Sequence, residues 1–311
     1  TPERALHTPS ETRAILDAGT GPAPRLFRAG PLIDGRQSWP GALVAADVPA
    51  AVRAVDSVAA RGADFVKLYN GLSIEQITAA SAQARRLGKP VTADLLGSRV
   101  DALQALEAGV QGFEHAGGFS QAYRRLGGDP DAFPLDSVRM DSLARAVVGR
   151  GAYIVPTLIV AHQYAAETRP SLAGVPLADR VPDHVHAFWA RGDAAPPSFK
   201  HVFDLHERFA AHLTRRVAAL GGRVGAGSDL PNPYVTPGGA LHQELELLVG
   251  AGLTPLQAIR AATGGAADIL GRADLGVLAA GKAADVIVVG GNPAADVGAT
   301  RDVRIVIRGG R

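Results

Sequence analysis

The chain has 311 residues, of which 47% are hydrophobic and 20% charged; that is ample material for a core and no compositional case for disorder. Its 32 basic and 30 acidic side chains leave a net charge of +2, and the arginines are scattered rather than run together, so a nucleic-acid partner is not expected. The absence of cysteine excludes disulfides, thiolate nucleophiles and cysteine-held zinc.

No apolar run reaches the roughly 18 residues of a membrane span, and no signal peptide is visible. The expectation is a cytoplasmic protein that takes a small molecule and has no membrane partner. Because the text opens TPERALHTPSE without a starting Met, a processed or truncated product of something longer is also expected.

From Thr1 to Gly21, helix-compatible text ends in a Gly/Pro cluster, and Arg25 to Gly30 reads as a strand. Pro31 to Ala46 carries turn residues without a period and reads as a long loop. Trp39 within it suits a ligand contact and a hydrophobic plug equally.

One unit is then written five times. An amphipathic run closes on a glycine, a short β-branched strand follows, and polar residues stand at the strand's end. The copies are VAARGADFVKLYN with Lys67, ARRLGKPVTADLLG with Asp94, ALEAGVQGFEHAGG with His115, VVGRGAYIVPTLI with Pro156 and Thr157, and VAALGGRVGAGSDL with Asp229. Repeated helix-to-strand units in one orientation predict a parallel sheet joined by right-handed crossovers. The ionisable residues then gather at one rim, where barrels of this class keep their chemistry.

Within these units, Asp47 caps a helix through Ala60, and the strand Phe65 to Tyr69 puts Phe65, Lys67 and Tyr69 on one face. A lysine there is usually a snorkelling surface residue, yet its apolar flanks argue against exposure. Ser73 and Gln76 form a capping box. Asp94, on strand Val91 to Leu95, is a turn cap or a rim group. After a helix at Leu103 to Ala108, strand Gly112 to Ala116 presents Glu114 and His115, the latter a satisfied core histidine or a functional one.

Phe119 to Asp136 reads as an irregular insertion, Met140 to Gly149 as a helix and Tyr153 to Ile159 as a strand. Val160 to Lys200, with His162, is expected to arch over the rim as a lid. His184 and His186, two apart, point away from each other on a helix and make a poor metal pair. A helix follows at His201 to Leu220, with His206 and His212 solvated. Next come strand Val224 to Asp229 and a Pro/Gly-rich loop, Leu230 to Gly239, holding Tyr234. Helices at Leu241 to Val249 and Thr254 to Leu270 end this part, the second with Thr254 as N-cap and Pro255 in its first turn.

From Gly276 the text turns to strand and turn residues, with β runs at Asp285 to Val289 and Val303 to Arg308. A barrel domain over residues 1–275 and a β appendage over 276–311 are expected.

Four stretches now carry a resemblance: GADFVKLY, the pair LGKPVTAD and ALEAGVQGFEHAGG, GSDLPNPYVTPGGALHQELELLVGAGLTPLQAIRAAT, and LGVLAAGKAADVIVVGGNP. They resemble the amidohydrolase superfamily, in its imidazolonepropionase-like and Xaa-Pro dipeptidase-like branch. The resemblance implies an α/β fold, a (βα)8 TIM-type barrel with one or two divalent metals at its strand ends and a β-sandwich attached. By this alignment the first two barrel strands are lacking, together with the HxH pair that the first of them carries, and the sandwich is a C-terminal remnant.

Carried over by residue, Lys67 looks like the bridging lysine, His115 like the sixth-strand histidine, and Asp229 like the eighth-strand aspartate, both general base and ligand. The fifth-strand histidine is Asp94 here. The expected catalytic residues are therefore Asp229, His115 and Lys67. The expected metal ligands are Lys67, Asp94, His115 and Asp229, holding at most one Zn or Mn ion. Tyr69, Trp39, His162 and Tyr234 are expected to contact an apolar or aromatic substrate.

Three functions stay open on this reading. The first is a hydrolase of an amide, ester or cyclic amide. The second is a metal-independent esterase or other proton-transfer enzyme, with Lys67 paired to Asp94 or Asp229. The third is a non-catalytic truncated homologue acting in an assembly. Exposed edges on the terminal strands lead us to expect a homo-oligomer.

Overall fold

The computed structural model describes residues 25–166, 179, 181–183, 185–187, 189, 196–230 and 232–311. The expected N-terminal helix and His184 lie outside them. Two compact units result: the described residues through Gly127 together with Gly149–Ala152, and Gly128–Val148 together with Tyr153–Arg311.

The first unit is built on five parallel strands, β1 (Ile33–Asp34), β2 (Leu43–Val44), β3 (Val66–Leu68), β4 (Val91–Asp94) and β5 (Gly112–Glu114), in the order β2-β1-β3-β4-β5. Lys67 pairs with Thr92, and Thr92 with Gly112; Asp94 pairs with Glu114. Helix α1 (Val48–Ala60) starts where the Asp47 carboxylate accepts from Ala50 N. It buries Ala51, Ala54, Val55 and Val58 as one stripe, the spacing of a helix face turned to a core. Helix α2 (Ile74–Arg86) opens with the Ser73–Gln76 capping box, as its sequence predicts. Helix α3 (Ala102–Glu107) opens with a second box, Asp101 with Gln104.

Three expectations fail in this unit. Arg25 to Gly30 forms no strand; it is tied instead by Arg28 N donating to Asp64 Oδ2 and Asp64 N donating to Arg28 O, both at 2.8 Å. The segment taken for a loop holds β1 and β2, whose two residues each are too few to show an alternation. Phe119 to Asp136 is not wholly irregular, since α4 (Phe119–Arg125) starts there. The Phe119 ring packs edge-on against Phe113 of β5 at 5.0 Å.

The second unit contains α5 (Ser137–Gly149), β6 (Tyr153–Val155), α6 (Leu158–Ala165), α7 (Pro197–Ala219) and β7 (Arg223–Val224). β6 and β7 pair in parallel through Tyr153 with Arg223 and Ile154 with Val224. The strand expected to reach Ile159 stops at Val155, because Pro156 has no N–H for a ladder and Thr157 turns the chain at φ 45° into α6. The strand expected through Asp229 keeps ladder geometry only to Val224, although Gly225 N still donates to Ile154 O at 2.9 Å.

Helix α8 (Gly239–Gly250) is followed by α9 (Pro255–Ala262), opened by Thr254, Pro255 and Gln257 as expected. The single helix read from Thr254 to Leu270 is broken at Thr263 (φ −128°, ψ −99°), and α10 (Gly264–Ile269) resumes beyond it. At the break a Cβ on Gly265 would stand 2.9 Å from Arg260 O.

The chain closes with an antiparallel ribbon, β8 (Val286–Val289) and β9 (Val303–Ile307). Directly opposed residues share a face; Ile287 and Val306, one such pair, are 61% and 66% exposed. Among the described residues no helix is long and apolar enough to cross a membrane.

Candidate active site

In the first unit, register and alternation place Lys67, Thr92, Asp94 and Glu114 on one face of the strands. Thr92 Oγ1 donates to Glu114 Oε1 at 2.7 Å. Asp94 is buried at the end of β4, where its Oδ1 accepts from Leu96 N at 3.1 Å and its Oδ2 lies 3.7 Å from His115 Nε2. His115 stands one residue beyond β5, not within it. His115 and Ala116 have φ 57° and 51°, a conformation that costs a non-glycine residue about 1–3 kcal/mol. The sharp turn they make faces the imidazole toward Asp94.

Among the described residues five non-glycine positions have positive φ: His115, Ala116, Thr157, Asp229 and Tyr234. All follow the strands β5, β6 or β7, and three of them are candidate site residues. Strain of this kind persists where the surroundings over-determine the backbone, and it gathers at functional sites.

Lys67 is half-buried on β3, and its ammonium makes no hydrogen bond or ion pair among the described residues, so the expected pairing with Asp94 is not made. Two of the expected substrate contacts do meet: Trp39 Nε1 donates to the Tyr69 hydroxyl at 2.8 Å, with Trp39 50% exposed.

The sequence reading missed Asp34. Fully buried at the end of β1, its Oδ1 accepts from Gly35 N and Gly71 N at 2.8 and 2.7 Å, while Oδ2 is buried without a partner. A Cβ on Gly71 would lie 2.5 Å from Asp34 Oδ1, so any side chain there would force that carboxylate to shift. Next to it Asn70 Nδ2 donates to Leu96 O at 2.9 Å. The loops after β1, β3 and β4 are thereby laced together. The IDG text on its own gave no sign of this, because the partner of Asp34 is 37 positions away.

In the second unit, Asp229 is exposed, five residues past β7, at φ 50°. Asn232 Nδ2 donates to its Oδ2 at 2.7 Å and to its carbonyl at 2.8 Å, and the Tyr164 hydroxyl donates to Asn232 Oδ1 at 3.2 Å. Tyr234 is buried, stacked on Trp189 at 5.4 Å. His162 Nδ1 lies 3.1 Å from Glu207 Oε1, and that bond, ahead of opposing burial, raises the imidazole above its usual value. His186 stacks on Trp189 at 5.4 Å.

Glu244 is the other residue the sequence did not flag; GALHQELELLVG shows it only as one polar position on a helix. It is fully buried, and its Oε2 accepts from Ile159 N at 2.8 Å. Thr157 gives α6 no side-chain cap, so a carboxyl from α8 takes that place. Burial pushes Glu244 up to about 8, against the lowering effect of the Ile159 and Leu158 amides.

A catalytic divalent ion takes about three protein ligands and an open position. Asp94 and His115 are together but engage each other, and among the described residues no three His, Asp or Glu side chains gather to hold an ion. This donor set does not fit a resident metal.

A model of the amidohydrolase family matches residues 68–311. Adenine deaminase 2 of Agrobacterium fabrum (strain C58) is 53% identical over 51 residues, which span 16% of this chain and 8% of that enzyme. A Xaa-Pro dipeptidase structure with bound methionine is 21% identical with a TM-score of 0.68, covering 98% of this chain and 72% of that one. A prolidase complexed with N-methylphosphonate-L-proline gives 21% and 0.69 over 98% and 72%. Bottromycin amidohydrolase gives 25% and 0.60 over 80% of this chain and 56% of its own. The likeness establishes the fold as α/β of the TIM-barrel type, as the sequence led us to expect.

Proposed function

Since the chain belongs to the amidohydrolase family, matched over residues 68–311, we propose that it is a hydrolase cleaving an amide, ester or cyclic amide bond of a small molecule. The observation that carries this reading is the buried Asp94 carboxylate 3.7 Å from His115, on a backbone turn of positive φ at the end of β5. A carboxylate beside an imidazole orients the ring and stabilises its protonated form. In this reading His115 takes the proton from water as the water attacks the carbonyl carbon, then returns it to the leaving nitrogen or oxygen.

Lys67, with no counter-charge bound to it among the described residues, supplies positive charge to the oxygen that becomes negative during attack. Asp229 is a second candidate base, its carboxylate fixed by Asn232. Trp39 and Tyr69 form an aromatic edge suited to an apolar substrate.

The test is turnover of a panel of N-acyl amino acids, proline dipeptides, aryl esters and cyclic amides. On the substrate that reacts, His115→Ala and Asp94→Asn should each lower kcat/KM by about 100-fold or more, with circular dichroism unchanged. Turnover by His115→Ala equal to that of the native chain overturns the proposal.

The two-donor set favours a second reading, metal-independent hydrolysis of activated esters. Elemental analysis and prolonged chelation test it: activity surviving chelation in metal-free protein supports it, and activity restored only by added Zn or Mn overturns it.

A further inference from the structure

The ends of β4 and β5 opposite Asp94 and His115 open on a cavity of about 270 Å³. It is lined by Ser81 and Arg85 of α2, Lys89 before β4, and Gly109 and Gln111 before β5. The volume lies just below the roughly 300 Å³ at which drug-sized pockets begin and far above the ~30 Å³ of one water, so it suits a small molecule or polyatomic ion.

Both ionisable groups in the lining are cations, and no carboxylate is among the lining residues. Among the described residues neither the Arg85 guanidinium nor the Lys89 ammonium has a hydrogen bond or ion pair. The other polar side chains also have donors to offer. Ser81 is only 2% exposed and its hydroxyl is buried without a partner, a costly state for such a group. Gln111 has its Oε1 occupied by Val91 N at 3.2 Å, which leaves its amide nitrogen.

Backbone donors at the site are already committed. Gly88 N donates to Arg85 O, Lys89 N to Ala84 O, and Gly109 N to Leu106 O. Gly109, at φ 97°, leaves room for the guanidinium, since a Cβ there would stand 2.6 Å from Arg85 Nη2.

Arg85 lies in the last turn of α2, and the helix dipole alone favours a cation there. That account leaves out Lys89, which is beyond the helix, and Ser81, a turn earlier with its hydroxyl unmet. An arginine fork, an ammonium, a hydroxyl and an amide in one small cavity have a common complement in a compact, acceptor-rich anion.

We infer that this cavity binds a small tetrahedral oxyanion, either inorganic phosphate or the phosphate end of a phosphomonoester, at the face opposite the proposed catalytic residues. The site does not depend on the hydrolase reading.

The test is isothermal titration calorimetry of the full chain with inorganic phosphate, ionic strength held constant with sodium chloride. The same titration is run on Ser81→Ala and on the double variant Arg85→Gln/Lys89→Gln. Expected is one site per chain, weakened at least tenfold in the double variant and measurably in Ser81→Ala, while panel turnover without phosphate is unchanged. Methyl phosphate binding as tightly as phosphate or tighter assigns the site to an ester, and weaker binding assigns it to the free anion. Absence of binding at about 10 mM phosphate, or equal binding by the double variant, overturns the inference.

Discussion

Replacing Glu244 by glutamine should remove a large part of the pH dependence of this protein's stability. Burial holds the carboxyl neutral in the folded chain, at about 8 against the ordinary 4.5, with Glu207 on α7 adding a smaller push in the same direction. Between those two values the folded chain keeps a proton that the unfolded chain has released. Unfolding therefore gives up a proton, and stability falls as pH rises, by about 1.4 kcal/mol per pH unit. Over the window from 4.5 to about 8 the loss comes to roughly 5 kcal/mol. That is a ceiling, because rearrangement around the ionised group recovers part of it. Glutamine keeps an oxygen for the Ile159 N–H and cannot ionise. Urea unfolding of both proteins at about pH 5, 7 and 9 should give similar stabilities at the first pH and a clearly more stable variant at the last. Stability curves that run parallel across this range would refute the reasoning, since Glu244 would then ionise alike in both states.

Glu207→Gln should lower the His162 titration midpoint, read by NMR. Because the native midpoint is raised, the stability it brings is fully present below the unfolded value and fades as pH climbs through the folded one. With the His162 side chain 46% exposed, solvent screening holds the difference below about 1 kcal/mol, largest in acid and absent in alkali. Gly71→Ala should cost about 1–3 kcal/mol in urea melts, since its Cβ would meet Asp34 Oδ1 at 2.5 Å and Arg36 Cγ at 3.2 Å; an unchanged midpoint would mean the loop yields freely. We also propose that the ribbon mediates self-association. Ile287→Lys with Val306→Lys should then shift light scattering toward the 32.0 kDa monomer, and a native chain already monomeric would contradict it.

What could be read from the text divides by range. Helix starts at Asp47, Ser73 and Thr254 were visible because each cap bonds within three residues of itself. The rim positions of Asp94 and His115 were visible because a repeated unit announced them, and the two do face each other. Asp34 and Glu244 were not, since their bonds span 37 and 85 positions and no local period encodes such a partner. Strands failed where they were shortest: β1 and β2 have two residues each, while Pro156 and the positive φ of Thr157 ended β6 early.

The ties among Asp34, Gly71, Asn70 and Leu96 bear on any effort to redirect the proposed activity. A segment transplanted from a relative after β3 alone could bring a Cβ against the Asp34 carboxylate where Gly71 has none, and lack the Asn70 carboxamide that donates to Leu96 O. The three segments make one cassette, and altered selectivity is best sought by exchanging them as a set.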